Sequence, residues 1–236
     1  MNRVPRIYLS PTAFIDGTVR PSTEASHHLF KVLRLRAGDQ WAALDGQNRS
    51  WLCEVGDESV SRKVAEWPSV APLSVHLEVG LALAKGQRFE DALEKMAELG
   101  VVRVVPLQTE RTERGLPSSA KLLRWDQIAK SSSAVANRRV PLQVAAPRDL
   151  DDLIEGTDPA TTVYCHHDGA APADLFRAPK KSFTLLIGPE GGFSPSELDK
   201  LQSRGKRVSL GPLTLRVETA AVVAASLALT LPNLPR

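Results

Sequence analysis

The chain has 236 residues, 42% of them hydrophobic, and a formal net charge of +3. That is enough for one large domain, or a medium one plus a small one, around a buried core, and it is too weakly basic to announce nucleic acid by charge alone. No apolar run approaches the roughly 18 residues of a membrane-spanning helix, and the start Met1-Asn-Arg-Val-Pro-Arg6 leads into no signal core.

Residues 1–70 predict a small β-rich domain, with short strands broken by turns such as Ala37-Gly-Asp39 and Asp45-Gly46 and one short helix from His27 to Leu33. Trp67-Pro-Ser-Val-Ala-Pro72 reads as a linker. Residues 73–236 read differently. Leu73 to Leu83 is strand-like, and Gln87 to Gly100 is an amphipathic helix with Phe89, Ala92, Leu93, Met96 and Ala97 on one face. Val101 to Leu107 is strand-like, and Ser119 to Ala136 is helical. Strands are expected at Val140–Ala145, Thr161–His166, Phe183–Ile187 and Val208–Leu210. This alternation predicts an α/β fold with a mostly parallel sheet covered on both faces. Ser194-Pro-Ser-Glu197 has the pattern of a capping box with proline at the first helical position. The last helix, Glu218 to Leu231, is apolar nearly all round; burying it in so small a domain predicts a homodimer.

Cys53 and Cys165 lie far apart with no C-x-x-C, so no metal is expected and two buried thiols in a reducing cytosol are. His27 and His28 lack a third ligand and read as structural. His166-His167-Asp168 follows a strand without a nucleophile elbow and reads as a loop bordering the ligand site.

Two segments stand out: Leu186-Ile-Gly-Pro-Glu-Gly-Gly-Phe193 and Leu210-Gly-Pro-Leu-Thr-Leu-Arg-Val-Glu-Thr-Ala220. Each begins where an apolar run meets Gly-Pro, and each runs into a helix. Neither is a P-loop or a G-x-G-x-x-G fingerprint. Glycine and proline leave the main chain accessible, so the pair suggests one ligand site built from backbone, against the alternative of two β-turns.

Together with His27-His-Leu-Phe-Lys-Val-Leu-Arg-Leu-Arg-Ala-Gly-Asp39, Lys85-Gly86, Arg88, Glu94-Lys-Met-Ala-Glu-Leu-Gly-Val101 and Thr109-Glu-Arg-Thr112, these segments resemble the RsmE family of ribosomal RNA methyltransferases, of the SPOUT class. The resemblance covers nearly the whole chain. It implies a PUA-like or OB-like β-barrel followed by a SPOUT domain with a C-terminal trefoil knot. It also implies a homodimer, S-adenosylmethionine as cofactor, and methylation of N3 of a uridine in small-subunit (16S) ribosomal RNA. Alternatives are a knotted methyltransferase acting on a ribose 2′-OH or another base, and a non-catalytic RNA-binding assembly factor. The expected setting is cytoplasmic, with the RNA or the small subunit as partner and no membrane.

Such chemistry needs a methyl sulfonium aimed at the nitrogen, an exit for the imide proton and an unpaired uracil. Candidates for the cofactor are Leu186, Ile187, Gly188, Gly191, Gly192, Leu210, Gly211, Leu215 and Thr219. Arg216 and Glu218 are the catalytic candidates: Arg216 to stabilise the uracil anion or grip a phosphate, Glu218 as one possible proton acceptor. A structural salt bridge is the competing reading. The RNA candidates are Lys31, Arg34, Arg36, Arg88, Glu110, Arg111 and Arg139, with a surface pair to Glu113 or Arg114 as the alternative at 110–111. The chain departs from the family pattern at Gln87 and at Ser-Ser-Ser-Ala-Val-Ala (131–136).

Overall fold

The computed structural model describes residues 4–56, 60–112, 115–177 and 181–233, which divide into two compact units: 1–72 with 133–141, and 73–132 with 142–236.

In the first unit, β1 (Arg6–Tyr8), β2 (Phe14–Ile15), β3 (Thr18–Val19), α1 (Thr23–His27), β4 (Gln40–Leu44), β5 (Ser50–Val55) and β6 (Ser61–Glu66) follow in chain order. The six strands form one sheet, β1-β4-β5-β6-β3-β2, antiparallel except for β1 on β4. Its core holds Leu9, Val19, Leu29, Trp41, Ala43, Cys53 and Val55. The helix starts earlier than its apolar pattern suggests. Ser22 caps it by accepting the Ala25 N–H, and at His28 the turns widen into a π-helix that ends at Val32. Residues 133–141 join this unit through hydrogen bonds of long sequence reach. Trp67 Nε1 donates to Asn137 Oδ1 at 2.6 Å, the Tyr8 hydroxyl to the Arg138 carbonyl, and Arg139 Nε to Ser69 Oγ at 3.2 Å.

The second unit runs β7 (His76–Ala82), α2 (Arg88–Leu99), β8 (Arg103–Gln108), α3 (Ser119–Val135, whose last turn enters the first unit), β9 (Gln143–Val144), β10 (Arg148–Asp149), α4 (Leu150–Glu155), β11 (Thr162–Ala170), α5 (Pro172–Phe176), β12 (Ser182–Ile187), α6 (Pro195–Arg204), β13 (Lys206–Val208) and α7 (Val217–Thr230). The sheet order is β10-β8-β7-β12-β11-β13, every pairing parallel, with β9 also on β8.

Period-two alternation sorts each strand between two cores. Val104, Val163, Leu185 and Ile187 face one cluster with α2 and α7; Val105, Tyr164 and Leu186 face the other, with Leu153 and Ile154 of α4 and Leu201 of α6. A parallel sheet needs both faces covered because its crossovers lie on them, and here both are.

Three boundaries differ from the sequence reading. The expected strand 140–145 is only Gln143–Val144. The expected strand 208–210 lies earlier, at Lys206–Val208, because the Gly-Pro that follows ends the pairing. Most consequential, β11 runs on through His166, His167 and Asp168, expected as a loop, with a register break in which both Cys165 and Ala170 face Val208.

Candidate active site

Parallel sheets place their ligands at the C-terminal ends of the strands, and the cavity of this unit lies there. It has a volume of roughly 420 Å3 and is open to solvent. Its walls come from the end of β12 and the loop after it (Ile187, Gly188, Pro189, Glu190, Gly191, Gly192, Phe193), from α6 (Pro195, Leu198) and from β11 (Cys165, His166, His167). Leu215, Val217 and Ala220 at the start of α7, and Arg111 beyond β8, complete them. The two Gly-Pro segments therefore do converge on one cavity.

The loop 188–193 is held by a turn of its own and by Arg111 and Arg88. A turn closes it, with Gly192 N–H donating to the Pro189 carbonyl at 2.8 Å and Gly192 at φ +68°, which glycine adopts without steric cost. Arg111 donates from one guanidinium nitrogen to the carbonyls of Gly191 and Phe193. A Cβ at Gly191 would stand in van der Waals contact with the Arg111 side chain at 3.4 Å, so Arg111 lies close along this stretch of backbone. Arg88 pairs with Glu190 at the loop's tip. That partner accounts for a cation at the start of α2, where the helix dipole alone disfavours one.

The capping box of α6 is present: Ser194 Oγ accepts the Glu197 N–H, and Glu197 Oε2 accepts the Ser194 N–H at 2.7 Å. Glu197 does a second thing the sequence pattern does not show. Its Oε1 accepts the N–H of Glu110 at 2.8 Å, so one buried carboxylate ties the end of β8 to the start of α6. The turn at 109–112 presents Glu110 and Arg111 together, because Thr112 Oγ1 accepts the Thr109 N–H and donates to the Thr109 carbonyl. Ser196 donates to the Glu110 carboxylate at 2.7 Å; with Ser194 it holds that carboxyl below its ordinary range, which makes Glu110 a poor proton acceptor. Glu113 and Arg114, the alternative partners, lie outside the described residues.

Of the cofactor candidates, Ile187, Gly188, Gly191, Gly192 and Leu215 line the cavity. Leu186 is fully buried in the opposite core, Leu210 packs against the core with α7, and Gly211 and Thr219 are exposed outside the lining. Arg216 is the exposed, extended N-cap of α7, between two lining residues, and its side chain makes no capping bond. Glu218 lies in the first turn of α7 with Oε2 buried and unpartnered among the described residues. In the first unit Lys31, Arg34 and Arg36 are exposed and form no ion pair among the described residues, whereas Arg139 is bound to Ser69. The lining residues not anticipated as site residues include Phe193, Val217 and Ala220, which follow from the same two segments. They also include Cys165; His166 and His167 were expected to border the ligand site as a loop, and they do line the cavity, but as part of the bulged strand β11. Cys165 is part-buried as a residue, but burial of its thiol pushes it up to about 12, so it stays protonated and is no nucleophile at neutral pH.

Residues 71–229 match the RNA methyltransferase domain family and residues 22–61 the RNA methyltransferase PUA domain. A protein of Synechocystis named ribosomal RNA small subunit methyltransferase E is 32% identical over 235 residues, covering 93% of this chain and 75% of the relative. The chain belongs to the ribosomal RNA small subunit methyltransferase E family. A second member, from Bacillus subtilis, is 30% identical, with 92% of this chain and 89% of that protein covered. Among solved structures, a methyltransferase of Legionella pneumophila with bound S-adenosylmethionine superposes with a TM-score of 0.88 at 28% identity, over 96% of this chain and 97% of that one. A family member from Neisseria gonorrhoeae, at 22% identity and TM-score 0.85 over 94% and 95%, shares the fold.

Proposed function

We propose that the protein transfers a methyl group from S-adenosylmethionine to N3 of a uridine in small-subunit (16S) ribosomal RNA. The observation that carries this reading is the cavity at the strand ends, walled by both Gly-Pro segments, in a chain of this family. Its volume falls within the about 300–1,000 Å3 of small-ligand sites. Three glycines with accessible backbone and a ring of apolar side chains (Ile187, Phe193, Leu198, Leu215, Val217) make a lining suited to a nucleoside with a flat base. The cofactor supplies an electrophilic methyl group on a sulfonium. The chain's own contribution is to hold and orient: bare backbone at Gly188, Gly191 and Gly192, apolar walls, and a loop braced by Arg111, Arg88 and Glu197. Arg216, next to the wall, is assigned to the uracil, where a guanidinium stabilises the anion left as the imide proton departs.

Arg88, Glu110, Arg111 and Arg139 are already engaged within the protein, which concentrates RNA contact on Lys31, Arg34 and Arg36. These three sit on and just after the π-helical turn, beside exposed Val32 and Leu33. π-helical turns recur at functional sites, and residues 1–70 are assigned the PUA-like RNA-binding role. The setting is cytoplasmic, in keeping with an RNA substrate.

The trefoil knot and the homodimer belong to the same proposal. In support of the knot, the chain returns from the outer strand β13 so that α7 packs back on α2, β7 and β12. In support of the dimer, Val222 and Val223 on the apolar helix α7 are only half-buried. A second copy would cover both. Val223→Glu is expected to convert the dimer to monomer in sedimentation velocity; an unchanged sedimentation coefficient removes α7 from the interface. Two experiments test the activity. Calorimetry of the purified protein with S-adenosylmethionine must show binding. Mass mapping of ribosomal RNA from a strain lacking the gene must show one small-subunit uridine without its methyl group; if every uridine keeps it, the assignment fails.

A further inference from the structure

Successive side chains of a regular strand point to opposite faces, so three neighbours in a strand do not normally converge on one point. In β11 they do. The register break between Cys165 and Ala170 leaves 166–169 outside regular pairing on β13, and bulges of this kind re-aim side chains beside active sites. Here the break turns His166, His167 and Asp168 toward one another. The imidazoles lie 4.2 Å apart, Asp168 reaches His167 Nε2 at 3.1 Å and His166 Nδ1 at 3.9 Å, and one ligand atom from each residue falls within 4.8 Å of the others. Ligands bonded at about 2.0–2.2 Å to one cation sit about 3.0–3.5 Å apart, so the group is close to a chelating arrangement before any side chain moves.

We infer that His166, His167 and Asp168 form a binding site for a first-row divalent transition-metal ion, such as Zn2+ or Ni2+, at the rim of the cavity. Two imidazoles with one carboxylate suit those ions and not Mg2+ or Ca2+, which prefer all-oxygen shells. The Nδ1 of His166 accepts only a long 3.3 Å bond from the Asp168 N–H, which leaves its ring lightly engaged. Both histidines line the cavity, which places the site at its rim. The ring of His167 and the Asp168 carboxylate are largely exposed, with side-chain accessibilities of 79% and 61%, which leaves a cation a path to the site. Arg207 lies near enough to act on His166 while its Nε donates to the Tyr164 hydroxyl at 2.8 Å. That positive charge opposes the cation and weakens the expected affinity.

The test is titration calorimetry of the untagged full-length chain with ZnCl2, and separately NiCl2, in a non-chelating buffer at neutral pH. One ion per chain is expected, with MgCl2 giving no heat of binding. His167→Ala and Asp168→Asn are each expected to weaken binding about tenfold or more, while His27→Ala leaves it unchanged. Asp168→Asn is isosteric at an exposed position, so a loss there, with an unaltered circular dichroism spectrum, reports ligation and not folding. Absence of binding overturns the site. So does wild-type affinity in either variant, or an equal loss in His27→Ala. None of these results bears on methyl transfer, which the ribosomal RNA mapping reads separately.

Discussion

Arg216→Ala is expected to leave S-adenosylmethionine affinity within about twofold while lowering kcat/KM for RNA by about 10²–10³, the usual cost of removing one preorganised donor from a developing negative charge. Leu215 and Val217 both line the cavity, and Arg216 between them has extended backbone, φ −67° and ψ 155°. Alternation along extended chain therefore sends its side chain out of the cofactor wall and toward whatever approaches from solvent. A cation at a helix N-terminus is electrostatically misplaced, and this one has no capping bond to compensate. Removing it should cost the fold little, within about 0.5 kcal/mol. Arg216→Lys keeps the charge and loses the planar fork, so activity between the two is expected. Separate measurements of cofactor binding by calorimetry and of turnover on small-subunit particles decide the matter. Unchanged turnover in Arg216→Ala takes the residue out of the mechanism, and a parallel loss of cofactor affinity moves it into the cofactor site.

What could be read in advance follows from the range over which the information is stored. The capping box of α6 spans four residues, and the amphipathic face of α2 repeats every three or four, so both are written locally and both are present. The two Gly-Pro segments were legible as one site because each carries the same strand-to-helix transition. The residues at their edges were not, because whether Leu186 faces the cavity or the opposite core depends on strand phase relative to α4 and α6. The course of β11 was misread for a related reason. Polar His166-His167-Asp168 looks like loop, and only the pairing of Cys165 and Ala170, on either side of it, with Val208 of β13 carries the strand across it. The brace from Arg111 to Gly191 reaches across 80 residues, and Trp67 to Asn137 across 70. Such contacts leave no periodicity in either partner. Arg111 and Arg139 were therefore legible as cations but not as cations with a partner.

Glu197 shows how one residue carries both kinds of information, and its replacement gives the second large effect. As the fourth residue of the capping box it has a local reason to be there, and Ser194→Ala, which removes the other half, is expected to cost about 1 kcal/mol. Glu197→Ala should cost more, about 2–5 kcal/mol. It leaves two N–H groups, on Ser194 and Glu110, without an acceptor where the carboxylate itself is only 3% exposed, and each unpaired buried donor costs about 1–3 kcal/mol. The loss is not only of stability. With Glu110 released, the turn carrying Arg111 loses its anchor, and Arg111 is what holds the Gly191 and Phe193 carbonyls. Cofactor affinity is accordingly expected to fall about tenfold or more, because the loop must then be ordered at the expense of binding. Glu197→Gln keeps one acceptor oxygen and should lie between. Denaturant unfolding and calorimetry with S-adenosylmethionine on Ser194→Ala, Glu197→Gln and Glu197→Ala separate the two contributions. If Glu197→Ala costs no more than Ser194→Ala and binds the cofactor normally, the carboxylate is a helix cap and nothing else. If affinity falls out of proportion to stability, the bond to Glu110 is what keeps the loop in its binding shape.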